Sequence, residues 1–261
     1  MKRWTNLLVS TILPTIGIGI LSACQAVEFP EEEYPDVSEH KLTVFTRSAN
    51  PEFDYPVNVY AFNEAGSCVD SQVVSSEGES LSLHLPKGMF KVVAVSGLPS
   101  ESLPAKPSLT EVVFLPASNY LDRPVSMGQA DVSMGSQAQT INVMMKHCVS
   151  KLSLTLKQVP HSVTNAEVGL SKLYSQINLR GEMSRPQTAV IPCVRRGEDW
   201  VTDAVYLLPS ESQSVSFSIS LSSGDTVETF GYIMSGPLEE NTPYTITGTY
   251  SAGITLSGSF D

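Results

Sequence analysis

Lys151-Leu152-Ser153-Leu154-Thr155-Leu156-Lys157 is the stretch on which the fold turns. Leucine recurs at every second residue, with Ser, Thr and Lys between. Side chains on a strand alternate faces, so this pattern puts three leucines into a core and the polar residues towards water. The same period runs outward in both directions. Upstream, Leu42 and Val44 alternate with Thr43 and Phe45, and Leu81, Leu83 and Leu85 alternate with Ser82 and His84. Downstream, strand patterns recur at Val163–Leu170, Tyr174–Leu179, Thr188–Val194, Trp200–Leu208, Ser214–Leu221, Val227–Met234, Thr245–Tyr250 and Ile254–Phe260.

Turn signals separate these runs. Asn63-Glu64-Ala65-Gly66 and Pro86-Lys87-Gly88 carry residues that accept tight-turn backbone angles. After the second of them comes Met89-Phe90-Lys91-Val92-Val93-Ala94-Val95, nearly all apolar, the pattern of a central strand buried on both faces. Residues 97–125 contain Pro99, Pro104, Pro107, Pro116 and Pro124. They read as a surface connection with a short strand near Val112–Leu115 and a helical turn near Ser118–Leu121. Many short strands at this spacing indicate antiparallel β-sandwiches, not a doubly wound sheet. The expected fold class is all-β, with two sandwiches in tandem over residues 41–147 and 148–261.

The N-terminus has a different character. Lys2 and Arg3 precede an apolar run from Leu7 to Ile20, which ends in Leu21-Ser22-Ala23-Cys24. Small residues before a cleavage point suit a signal peptidase. The run is short for a membrane span, and Pro14 weakens a helix there. A Cys directly after the cut resembles the lipobox of bacterial lipoproteins. That resemblance implies a signal peptide over residues 1–23 and acylation of Cys24 with diacylglycerol and palmitate-type chains. Residues 24–40 then form an acidic tether, with Glu28, Glu31, Glu32 and Glu33 repelling one another and little to bury. This segment also resembles the acidic post-cysteine stretch that directs some Bacteroides-group lipoproteins to the exterior of the outer membrane.

Loss of residues 1–23 leaves 238 of the 261 residues and, with Lys2 and Arg3 gone, takes the formal charge from −11 to −13. Such a surface argues against nucleic acid as a partner. Cys68, Cys148 and Cys193 remain, an odd number that cannot pair fully, and the sequence does not select a pair. No cysteine or histidine has metal-ligand spacing; His40, His84, His147 and His161 lie far apart. The sequence around Ser251 comes near a nucleophile elbow, but Thr249 stands at the first glycine position and strands flank it. No catalytic residue, cofactor or small-molecule substrate is expected.

Four further segments carry a family resemblance. Val57–Val69 reads strand, Phe62-Asn63, Gly66, strand. Leu83-His84-Leu85-Pro86-Lys87-Gly88-Met89-Phe90-Lys91-Val92-Val93-Ala94 is a Leu-Pro-x-Gly hairpin. Met144–Leu152 resembles the strand opening a second domain, although Lys146 and Ser150 depart from the usual Arg and Ala. Leu238–Tyr250 contains Leu-x-x-Asn-x-x-Tyr-x-Ile-x-Gly. In this order they resemble the fimbrillin-type subunits and fimbrillin-associated anchor lipoproteins of Bacteroidales type V fimbriae, across residues 40–260. The resemblance implies two transthyretin-like sandwiches and assembly with other fimbrial subunits by β-strand addition. Ile254, Leu256 and Phe260 would lie on a donor strand. In shaft and tip members, a protease cutting after an Arg removes the first strand; here Arg47, directly after Lys41–Thr46, is the matching position. An outer-membrane anchor would keep that strand and its lipid. The alternative function is a surface lipoprotein with glycan-binding sandwiches, for which Trp200 is the single Trp of the mature chain.

Overall fold

A computed structural model describes residues 38–50, 54–98, 102–251 and 253–260. In chain order the strands are β1 (His40–Ser48), β2 (Val57–Asn63), β3 (Cys68–Val74), β4 (Ser80–Leu85), β5 (Gly88–Ser96), β6 (Val112–Phe114), β7 (Ser126–Met134), β8 (Gln139–His147), β9 (Ser150–Lys157), β10 (Asn165–Asn178), β11 (Met183–Arg196), β12 (Asp199–Val201), β13 (Val205–Leu207), β14 (Val215–Ser223), β15 (Thr226–Met234), β16 (Pro243–Tyr250) and β17 (Ile254–Phe260). The described residues are all-β and contain no helix. Residues 117–119 form a turn in which Asn119 takes a φ of 57°, so the helical turn expected near Ser118 is absent.

The first set of strands runs β3-β2-β5-β7-β8-β1-β4. It folds over where β7 and β8 meet, because they pair only at Ser126–His147 and Met127–Lys146. Gly128 sits at this corner: a Cβ there would lie 2.5 Å from the Met144 carbonyl oxygen. The fold-over places β4-β1-β8 against β3-β2-β5-β7. Leu42, Val44, Val59, Leu83, Leu85, Val92 and Met145 fill the space between, all fully buried. Each such side chain contributes on the order of 2 kcal/mol by leaving water.

The second set runs β15-β14-β10-β11-β12-β9-β16-β17, with β13 also on β9. The decisive segment, β9, shows strict alternation, with Leu152, Leu154 and Leu156 buried against Val168, Leu170, Phe217 and Ile219. Two runs that the sequence presents as separate, Val163–Leu170 and Tyr174–Leu179, are one strand, β10. A register shift between Leu170 and Leu173, with Lys172 at φ 60°, lets it continue past the irregularity. Conversely Trp200–Leu208 breaks into β12 and β13, with Thr202 between them bonded to Leu154. Pairing is antiparallel apart from one parallel pair in each set, β1 with β8 and β9 with β16. Such a pair needs no crossover helix here, because the whole intervening sandwich serves as the connection.

A third apolar cluster joins the sets. Tyr60, Phe62, Val93 and Val95 on the outer faces of β2 and β5 pack with Leu109, Val113, Val125, Ile177, Tyr206 and Leu208. This explains the doubly apolar pattern of β5: Val92 and Ala94 face the first core, Val93 and Val95 this one. It also corrects the reading of residues 97–125 as a surface connection. Leu109, Val113, Leu121 and Val125 are buried, β6 pairs with β10, and Leu121 bridges to Tyr206. Proline spacing reports the missing backbone donors but not where the side chains between them go. The strands otherwise divide at Cys148–Val149, and the described residues form one compact unit.

Candidate functional site

β1 is the first strand of the described residues, and it lies in the interior of a sheet. Seven residues, Leu42–Ser48, pair in parallel with β8, and six, His40–Phe45, pair antiparallel with β4. The strand extends two residues beyond Thr46. Arg47 is therefore within the ladder, opposite Met144, and not directly after the strand. Its side chain is exposed in a cleft of about 640 Å³ that also holds Phe45, Thr46, Tyr55, Glu77 and Glu79. Glu79 accepts the backbone N–H groups of Ser75 and Ser76 at 2.8 and 3.2 Å, which fixes the turn forming one wall. The Thr46 hydroxyl at the cleft is buried without a hydrogen-bond partner.

Immediately past β1 the chain enters a polar joint between the two sets of strands. The Asn50 side chain donates to Asn241 Oδ1 at 2.5 Å and accepts the His147 backbone N–H at 3.2 Å. His147, itself buried, has its Nδ1 2.8 Å from the Ser126 hydroxyl. The Asn241 N–H donates to the Val149 carbonyl at 2.9 Å, the Lys151 N–H to the Thr242 carbonyl at 3.2 Å, and the Ser150 hydroxyl to the Glu239 carbonyl at 2.5 Å. Lys146 and Glu240 form an ion pair across the same joint. Asn50, His147, Val149, Lys151, Tyr206, Asn241, Thr242 and Pro243 line a cavity of about 210 Å³. Sequence reasoning missed this joint. Asn50-Pro51 and Asn241-Thr242-Pro243 signal turns, and Asn241 does take a φ of 56°, but nothing local shows that two turns 191 residues apart meet.

The other expected positions fall as follows. Cys24 lies outside the described residues. β17 carries Ile254, Leu256 and Phe260 and is paired antiparallel with β16 from Tyr250–Ile254 to Tyr244–Phe260. Ile254 is 8 % exposed and faces the second core. Cys68, Cys148 and Cys193 form no disulfide. Burial pushes the thiols of Cys148 and Cys193 up to about 12, and a lesser burial raises Cys68. Trp200 is 6 % exposed, with Arg195 5.9 Å from the ring, so it offers no face for stacking a sugar. Among the described residues no three His, Cys, Asp or Glu side chains converge as a metal site.

The fold is shared with solved structures. A protein from Bacteroides ovatus described as an adhesin superposes with a TM-score of 0.62 at 13% identity, over 84% of this chain and 93% of that one. A Bacteroides thetaiotaomicron protein described as polysaccharide-binding gives 0.61 at 14%, over 85% and 98%. The fimbrial anchor protein Mfa2 of Porphyromonas gingivalis gives 0.60 at 12%, over 85% and 98%. No curated protein sequence matches significantly. A family model, that of the fimbrillin-A associated anchor proteins Mfa1 and Mfa2, matches residues 47–260, which takes in nearly every strand described above. The chain belongs to the family of fimbrillin-A associated anchor proteins.

Proposed function

We propose that this chain is the outer-membrane lipoprotein anchor of a fimbria, held through acylated Cys24, facing the cell exterior, and joined to other fimbrial subunits by β-strand addition. The observation that carries the reading is the position of β1. A strand that ties lipid to sandwich should be hard to pull out, and β1 is paired along both edges with Leu42 and Val44 fully buried. Arg47 supports retention in the same way. A protease needs an extended chain free of its neighbours. The ladder that Thr46, Arg47 and Ser48 form with Val143, Met144 and Met145 would have to open before the bond after Arg47 became accessible. Cutting there would also separate the sandwich from its lipid, which an anchor cannot allow.

Within this reading β17, with Ile254, Leu256 and Phe260, is the candidate donor strand, and donating it would release its pairing with β16. The glycan-binding alternative draws on the description of one similar structure, while the burial of Trp200 speaks against it. N-terminal sequencing and mass spectrometry of the protein taken from cells test the anchor reading. A lipidated Cys24 on the assembled protein is the expected result. A mature start at Ser48 would exclude the anchor and make the chain a polymerising subunit.

A further inference from the structure

β15 is an edge strand without the features that usually keep such an edge from pairing. It ends the order of its sheet, and among the described residues no strand pairs with its outer edge. Its nine residues pair with β14 without a bulge, from Ser223–Thr226 to Val215–Met234. Thr226-Val227-Glu228-Thr229-Phe230-Gly231-Tyr232-Ile233-Met234 contains no Lys and no Pro, and Glu228 is its one charge. Charge, proline and bulges are the usual means of blunting an edge. Two other edges of this molecule are blunted or bridged. Along the part that β12 leaves uncovered, β11 carries Pro186 and Pro192, which lack an N–H. β3 is bridged to β4 by Gln72 to the Ser82 carbonyl and by the His84 N–H to Asp70.

The two faces of β15 differ. On the inner face Phe230 meets Tyr250 edge-on at 6.1 Å, Tyr232 donates its hydroxyl to the Ile254 carbonyl, and Tyr250 donates to Glu228 at 3.3 Å. These contacts hold the strand in place. On the outer face Val227 is 60 % exposed and Ile233 77 % exposed. They stand symmetrically about Phe230, three residues to either side.

We propose that the outer edge of β15 pairs antiparallel with β15 of a second copy of this chain, about a two-fold axis at Phe230. In that register Val227 lies against the second copy's Ile233, and Ile233 against its Val227, so each exposed apolar side chain gains an apolar neighbour. Thr229 lies against Gly231 of the second copy. Glu228 lies against Tyr232, so the one charge never meets its own copy. Side chains keep their faces only in registers shifted by two residues. A shift by two in either direction sets Val227 and Ile233 against Gly231, Asp225, Thr229 or Ser235. A shift by four in one direction brings the two Glu228 carboxylates together. The sequence of the strand is thus complementary to itself in one register, which is the signature of an isologous contact. The inference is independent of the anchor reading.

Disulfide trapping on the full chain produced in cells tests it. In V227C/I233C each new thiol faces the other type across the axis, and both positions are exposed enough to leave the fold unchanged, which thermal unfolding checks. Within one chain the two positions are about 20 Å apart along the strand, beyond the reach of a bridge. Mild oxidation should therefore give a covalent dimer of the double variant, at least tenfold more than V227C or I233C alone, because like positions are also about 20 Å apart across the axis. Ile233→Lys in the otherwise unchanged chain should lower the dimer fraction in detergent at least tenfold. Equal trapping by the single variants would overturn the register. A chain that stays monomeric, or that is trapped only to a different protein, would overturn pairing with a second copy.

Discussion

β1 and β9 hold the same station in their two sandwiches and are secured differently. Each opens its set and pairs in parallel with the last long strand before the set closes, β8 or β16. The other edge of β1 is covered by a single unbroken strand, β4. The other edge of β9 is covered piecewise, by β13 at Ser150–Leu152 and β12 at Thr155–Leu156. Between them Thr202 takes over: its N–H donates to the Leu154 carbonyl at 3.0 Å and its hydroxyl accepts the Leu154 N–H at 2.9 Å. Connectivity separates the two further. β9 follows β8 after Cys148 and Val149, so the chain links it directly to the first sandwich as well as to the second. One cut after Arg47 would detach β1 from everything that follows. The same station is therefore held by chain on both sides in one sandwich and is one cut away from release in the other.

The largest test of this comparison is in the cores. Leu154→Ala and Leu42→Ala remove equivalent buried leucines, each 0–1 % exposed. Each should destabilise by about 2–5 kcal/mol in urea unfolding. A cost below about 1 kcal/mol for Leu42→Ala alone would show that β1 contributes little to its sandwich and would break the tie reading.

Alkaline pH should act next. Burial pushes the thiols of Cys148, at the joint, and Cys193, in the second sandwich, up to about 12, from an ordinary value of 9.0. Between these values the folded state holds a proton that the unfolded state has lost. Stability is thus complete below about pH 9 and falls as pH rises towards 12, by up to about 1.4 kcal/mol per pH unit for each thiol. Cys148→Ala and Cys193→Ala should each flatten that fall. An unchanged alkaline slope in both variants would refute the assignment.

At the joint, Asn50→Ala removes the bonds to Asn241 and to the His147 N–H. A loss of about 1–2 kcal/mol is expected, with the transition broadening as the sandwiches uncouple. A sharp, unshifted transition would show that the apolar cluster around Phe62 and Val113 couples them without help. The smallest effect belongs to the residues ahead of β1. Deleting residues 25–36 should change unfolding by less than about 0.5 kcal/mol while altering surface display. A larger change would mean that these acidic residues contribute to the folded domain.

Most strands were legible because their signal is local. In β4 and β9 the alternation of Leu with polar residues specifies both the conformation and the buried face. Where the sequence misled, a distant partner decided. β10 passes through a bulge at Lys172 because β11 pairs with both of its halves, β14 with its first half and β6 with its last three residues. Val113 is buried because Ile177 and Leu208 come to meet it. Arg47 reads as a strand terminus from its neighbours, yet β8 extends the ladder through Ser48.

The sequence by itself determined the all-β class, the buried faces of the alternating strands and the acidic charge. These depend on residue chemistry at fixed short spacing. The tertiary structure decided which strands lie inside a sheet and which at an edge, that Asn50 meets Asn241, and that Val227 and Ile233 are left exposed on β15. Strand order joins residues tens to hundreds of positions apart, and a period of two gives each strand its faces but not its neighbours.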